Sequence, residues 1–233
     1  MRVAVIDPFS GASGDMLLGA LIDVGLAVDE VAMRLAASLD LAGYRIVAET
    51  VVRQGLRGTR VQVAVESDQP SRDWAEIRTL LHESALPPRV KERALTVFQR
   101  LAEAEARVHG VPVERVHFHE VGAVDSIVDI VGVVWGFELL GVEAIACGPL
   151  PLSRGWVETA HGKLPVPAPA TAALLAEAAV PTVPLDIEAE LVTPTGAALL
   201  VTLARFERPA FRPERVGYGF GARELPWPNA LRL

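Results

Sequence analysis

Apolar residues recur along the chain at two periods, and the alternation between them outlines the fold. Val3 to Ile6 is a short β-branched run that predicts a buried strand. It runs into the glycine-bearing segment 7–15, after which Leu17, Leu18, Leu21 and Val24 fall at helical spacing. Asp29 is expected to cap a second helix carrying Val31, Leu35 and Leu39. From Gly43 the period changes: Tyr44–Val52 and Thr59–Glu66 read as a β-hairpin around the turn 53–58, with Val61, Val63 and Val65 alternating against Arg60, Gln62 and Glu66. Ser71 opens a helix with Trp74, Ile77 and Leu81. Pro87-Pro88 opens a longer one, stopped by Gly110. An almost wholly apolar helix follows, starting between Glu120 and Val124 and ending at Gly141. Ala144–Cys147 reads as a strand, Trp156–Ala160 as extended, Ala168–Ala178 as a helix, and Thr193-Pro194 as the start of another through Arg205. The tail has extended pieces at Val216–Phe220 and Asn229–Leu233.

Strands and helices alternating in this way predict an α/β fold. The hairpin argues for a mixed sheet with packed helices. We expect a single α/β domain over residues 1–233, with the apolar helix at its centre and residues 43–115 as a hairpin-containing sub-lobe.

Composition narrows the chemistry. Lys plus Arg is 22 and Asp plus Glu is 29, a net charge of −7, which argues against a nucleic-acid-binding face but leaves room for a local anion pocket. The one cysteine, Cys147, excludes an internal disulfide and a cysteine-rich metal site. No apolar run approaches the ~18 residues of a membrane span, and Asp7 interrupts the short apolar start. A soluble cytoplasmic protein is the expectation.

Five segments could carry function. Ser10, Gly11, Ser13, Gly14 and Asp15 lie between a strand and a helix, where unpaired N–H groups suit phosphate or carboxylate. Asp7 stands at a strand's carboxyl end, where open α/β sheets place their sites. A helix cap and a tight turn would explain the same residues. His117, His119, Glu120, Asp125 and Asp129 form the densest cluster. Imidazole plus carboxylate suits a divalent metal, and two carboxylates on a buried helix need a cation, donors or a polar cleft. Continuing that face, Gly132 and Gly136 suggest a second backbone packed close. His161 and Lys163 sit in a proline-bounded loop that could hold phosphate or be a surface turn. Thr193, Thr195 and Gly196 open a further helix, as a second anion site or a plain cap. Gly217-Tyr218-Gly219-Phe220-Gly221 would let a strand pass close to a ligand or another chain.

Taken in order, the segments 7–16, 117–129, 159–169, 192–197 and 217–219 with Pro228-Asn229 resemble the nickel-insertion proteins (LarC type) of nickel-pincer cofactor synthesis, from residue 1 to the C-terminus. The resemblance implies a lyase-type nickel insertase acting on pyridinium-3,5-bisthiocarboxylic acid mononucleotide. It implies CTP with manganese or magnesium, and a product used by lactate racemase. Members of that family continue into a further C-terminal domain, so the chain is expected to be the N-terminal component, partnered by that domain or a separate chain, and to be a homo-oligomer. On this reading Asp7, Ser10, Gly11, Ser13, Gly14, Asp15, Thr193, Thr195 and Gly196 would hold nucleotide or phosphate. His117, His119, Glu120, Asp125 and Asp129 would meet metal, and His119, Asp125, His161 and Lys163 would act in catalysis. The competing readings are an oligomerising scaffold for a catalytic C-terminal chain and an unrelated nucleotide-binding hydrolase. The missing Gly-Lys-Ser/Thr disfavours the hydrolase.

Overall fold

The computed structural model describes residues 1–66, 69, 71–118 and 121–233. Strand β1 (Val3–Ile6) enters helix α1 (Gly14–Asp23), and α2 (Val28–Ser38) follows. Ala27, not Asp29, occupies the N-cap of α2. Asp29 lies inside the first turn, where its charge favours the helix dipole without closing a cap. The hairpin is β2 (Tyr44–Arg53) and β3 (Leu56–Val65). Its turn is tighter than the predicted six residues: Gln54 and Gly55 alone make it, both at positive φ (50° and 80°), the geometry that matches the twist of a two-residue hairpin.

Helix α3 (Trp74–Glu83) starts three residues after Ser71, because Asp73 and Glu76 form a reciprocal capping box. Helix α4 (Pro88–His109) begins on proline and ends at Gly110 in the left-handed conformation, as predicted. After a 3-10 turn at Val113–Arg115 comes the apolar helix α5 (Val124–Leu139). Then follow β4 (Ala144–Cys147), β5 (Leu150–Arg154), β6 (Trp156–Thr159), β7 (Gly162–Pro165), α6 (Pro169–Glu177), β8 (Thr182–Glu188), α7 (Pro194–Leu203), β9 (Tyr218–Phe220) and β10 (Ala230–Arg232). Strands β5, β7 and β8 were not foreseen. They carry Pro151, Pro165 and Pro184 and sit in two-stranded sheets, where proline costs little.

The architecture is α/β with a mixed sheet in the order β10-β9-β3-β2. The central pair β3–β9 is parallel, with Thr59 against Gly219 and Arg60 against Phe220, and its flanks are antiparallel. The β2–β3 hairpin is thus woven into a sheet completed by strands β9 and β10. β1 and β4 pair in parallel, Val3 with Ala144 through Ile6 with Cys147. With one neighbour each, β1 buries only alternate residues, Ala4 and Ile6.

Helix α5 is buried along most of its length and touches α1, α2, α4, α7 and β3. Its glycines do not face another backbone, as the sequence suggested. Gly132 faces Leu18 and Leu35, and Gly136 faces Leu21 and Leu26. Helix α4 buries Val90, Val97, Phe98 and Leu101, each contributing about 1.5–3 kcal/mol of transfer free energy. The glycine-rich segment 217–221 presses against α1: a Cβ on Gly219 would stand 1.8 Å from the Met16 carbonyl oxygen.

Cys147 is buried at the end of β4, and that burial, with the nearby Asp7 charge, pushes its thiol up to about 12. Native protein at pH 8 is therefore expected to resist Ellman's reagent, releasing one equivalent only after unfolding. Rapid labelling of the native chain would contradict the packing around β4.

Candidate functional site

Three helix starts meet at one cleft of about 410 Å³. Ser13, Gly14 and Asp15 come from α1, Asp125, Ser126 and Asp129 from α5, and Thr193, Pro194 and Thr195 from α7. β3 supplies Arg60 and Gln62, and Glu190 closes one side. Segments more than 170 residues apart in sequence converge here because two loops zip together. Ala12 N–H donates to the Leu191 carbonyl (2.9 Å), and Thr193 N–H donates back to the Ala12 carbonyl (3.1 Å).

That zipper explains two glycines. Gly11 has φ 126° and would clash with the Leu191 carbonyl if it carried a Cβ. A Cβ on Gly196 would lie 2.2 Å from the Ala12 carbonyl oxygen. Both glycines let backbones approach each other and do not line the cleft. Gly14 does line it, and it makes room for Asp129, whose Cβ would be 2.8 Å from an added methyl.

The helix starts are partly satisfied by their own side chains. Asp15 Oδ1 accepts from Met16 N–H (2.9 Å) and from the Ser13 hydroxyl. Asp125 Oδ1 accepts from Ser126 N–H (2.8 Å). Thr193 Oγ1 accepts from Gly196 N–H (3.2 Å) and shares a hydrogen bond with Thr195 Oγ1 (2.9 Å). Asp129 differs: its Oδ1 is buried and has no hydrogen-bond partner among the described residues. Burial, and then the charges of Asp15 and Asp125, hold its carboxyl well above the usual range. Burial also raises Asp15, against the hydrogen bond from Ser13 and the charge of Arg60. A carboxyl in this state takes up a proton, or a cation in its place.

The remaining candidates lie elsewhere. Ser10 is buried in a structural network, accepting from Trp227 Nε1 (2.9 Å) and donating to Asn229 Oδ1 (3.3 Å). Asp7 pairs with Arg232 through backbone and side chain and lines a separate groove with Phe211 and Arg215. His117 is exposed, bridged to Asp73 at the start of α3, and does not line the cleft. His119 and Glu120 lie outside the described residues. Among the described residues, no three His, Cys, Asp or Glu side chains are clustered closely enough to hold a metal ion by themselves. His161 and Lys163 are exposed on the β6–β7 hairpin. The His161 ring lies 4.8 Å from that of His109 at the end of α4, away from the cleft lining.

Arg60, Gln62 and Glu190 were not foreseen as site residues. Arg60 and Gln62 were visible as the polar side of the β3 alternation. Nothing local marks that side as facing a cleft, because α1, α5 and α7 enclose it from distant parts of the chain. Among the described residues, no helix is long and apolar enough to cross a membrane.

The nickel insertion protein family model matches residues 4–233. A putative nickel insertion protein of Thermomicrobium roseum is 80% identical over the whole chain, which spans 57% of that relative. The pyridinium-3,5-bisthiocarboxylic acid mononucleotide nickel insertion protein of Desulfitobacterium hafniense (strain DCB-2) is 49% identical over the whole chain, spanning 58% of its length. The putative nickel insertion protein of Roseiflexus castenholzii is 51% identical with similar coverage. The chain thus spans a little over half the length of these curated relatives. No solved structure matches. With the match running from β1 to the last residue, the chain belongs to the nickel insertion protein family.

Proposed function

We propose that this chain is the N-terminal component of a cytoplasmic, CTP-dependent nickel insertase that acts on pyridinium-3,5-bisthiocarboxylic acid mononucleotide and makes the nickel-pincer nucleotide of lactate racemase. The observation that carries the reading is the convergence of three motif segments, 13–15, 125–129 and 193–195, on one cleft. The substrate is anionic, and helix N-termini favour anions. Ser13 and Thr195 offer hydroxyls where the phosphate would lie.

The carboxyls of Asp15, Asp125 and Asp129 line the same cleft and favour a divalent cation arriving with the substrate. Their all-oxygen donor set suits manganese or magnesium, and the unpartnered Asp129 Oδ1 is the atom such an ion would satisfy. A bound cation would screen phosphate from carboxylate and stabilise charge developing during nucleotidyl transfer. Nickel enters as cargo, and the one buried, high-pKa thiol, Cys147, does not compete for it. The additional length of the relatives belongs, on this reading, to the nickel- and CTP-binding part. His161 and Lys163, exposed on their hairpin, would face that part rather than the cleft.

The test is nickel insertion by the full-length protein carrying Asp125→Asn. Asp125 is exposed, lies in the first turn of α5 and accepts from Ser126 N–H of its own helix, so folding is expected to be spared. Loss of one charged contact predicts a roughly tenfold fall in kcat/KM. An unchanged rate would remove the cleft from the reaction.

A further inference from the structure

Two buried polar atoms without hydrogen-bond partners among the described residues lie in the same cleft, and they are of opposite character. One is the carboxylate oxygen Asp129 Oδ1, and the other is Arg60 Nε. Buried polar groups in folded proteins are almost always satisfied, so an orphan pair lining one cleft calls for a ligand that satisfies both.

Arg60 is the one cationic residue among the described lining residues, facing Asp15, Asp125, Asp129 and Glu190. It forms none of the ion pairs found among the described residues, although its charge is felt by Asp15. Its backbone is held on both sides: β3 pairs with β2 at Glu49 and with β9 at Phe220. A guanidinium on a central strand is thereby positioned before any ligand arrives. Its planar fork suits the oxygens of a phosphate monoester, which it can bind through two parallel hydrogen bonds.

The geometry points to Arg60 as the residue that holds the phosphate of the mononucleotide, placing the ring end of the ligand toward Asp129. This rests on the proposed function and adds to it the contact and the orientation. The phosphate then lies between Arg60 on the sheet and the helix starts of α1 and α7.

Calorimetric titration of the chain with nicotinate mononucleotide, and with the riboside lacking its phosphate, tests this. Wild type is expected to prefer the mononucleotide by about tenfold or more, the usual effect of a charge-assisted contact. Arg60→Gln is expected to abolish that preference while leaving riboside affinity and the melting temperature unchanged. Arg60→Lys, which keeps the charge but not the fork, is expected to keep part of the preference and guards against a folding defect in the first variant. If Arg60→Gln and Arg60→Lys both retain the full preference, Arg60 is not the phosphate contact, and the proposed function survives. If wild type binds neither compound, the cleft is not a mononucleotide site, and both readings fall.

Discussion

Gly219→Ala is expected to destabilise the fold severely. The added methyl would stand 1.8 Å from the Met16 carbonyl oxygen and 2.5 Å from the Ala20 nitrogen, both backbone atoms of α1. Neither can yield by rotating a side chain, so α1 must lift from β9. That movement would break the packing of α1 on β3 and β9 and displace Ser13–Asp15 from the cleft. We expect a cost of at least ~3 kcal/mol. Against a total stability of about 5–15 kcal/mol, this means insoluble expression or a melting temperature lower by roughly 6–12 °C. Gly55→Ala is the matched control. Gly55 has positive φ, which Gly219 does not, but no atom lies within 4 Å of its added methyl. Its cost is expected to be only ~1 kcal/mol, from backbone strain alone. Equal effects of the two substitutions in thermal melts would contradict the close approach of α1 and β9.

Asp129→Asn is expected to change stability and activity in opposite directions. The carboxyl of Asp129 is raised in the folded chain by burial and by its acidic neighbours. The folded state therefore binds this proton more tightly than the unfolded chain does. The stabilisation is fully present below the unfolded value of about 3.9 and is lost as pH rises through the raised folded value. Asparagine does not titrate. The variant should thus gain on wild type between acid and neutral pH, ending ahead by about 1 kcal/mol, or roughly 2–4 °C, at pH 7–8. On the proposed function, nickel insertion by the full-length protein should fall ~100-fold, the usual scale for losing one buried electrostatic contact. Melts from pH 4 to 8 and a rate assay measure both. A variant less stable than wild type at pH 8 would show that Asp129 already has a partner in the folded chain.

Local patterns announced most of the fold. Proline at position 88 and glycine at 110 bracket α4, and the alternation of Val61, Val63 and Val65 marks β3. What escaped depends on distant partners. β5 and β8 pair with each other across a long stretch of chain and carry prolines that look like breakers when read locally. The glycine-rich tail suits a close approach to something, and only the tertiary fold names the backbone of α1 as a neighbour.

The site divides in the same way. Ser13, Asp15, Thr193 and Thr195 were recognisable because helix starts carry their own signature, and Asp125 and Asp129 because two carboxylates four apart stand out on an apolar helix; all six line the cleft. Ser10, Gly11 and Gly196 belong to the same motifs but serve the packing between loops. One sequence stretch can thus hold both cleft-lining and scaffold residues, and spacing does not separate them. Arg60 escaped for the converse reason: its strand carries no motif, and only the tertiary fold turns its polar side toward the carboxylates.

Chemical-shift mapping of the isotope-labelled chain during titration with nicotinate mononucleotide tests the central claim most directly. Shifts are expected at the amides of Ser13–Asp15, Arg60–Gln62, Asp125–Ser126 and Thr195, which meet only at the cleft. Shifts confined to the groove around Asp7, Phe211, Arg215 and Arg232, or to the hairpin bearing His161 and Lys163, would contradict it.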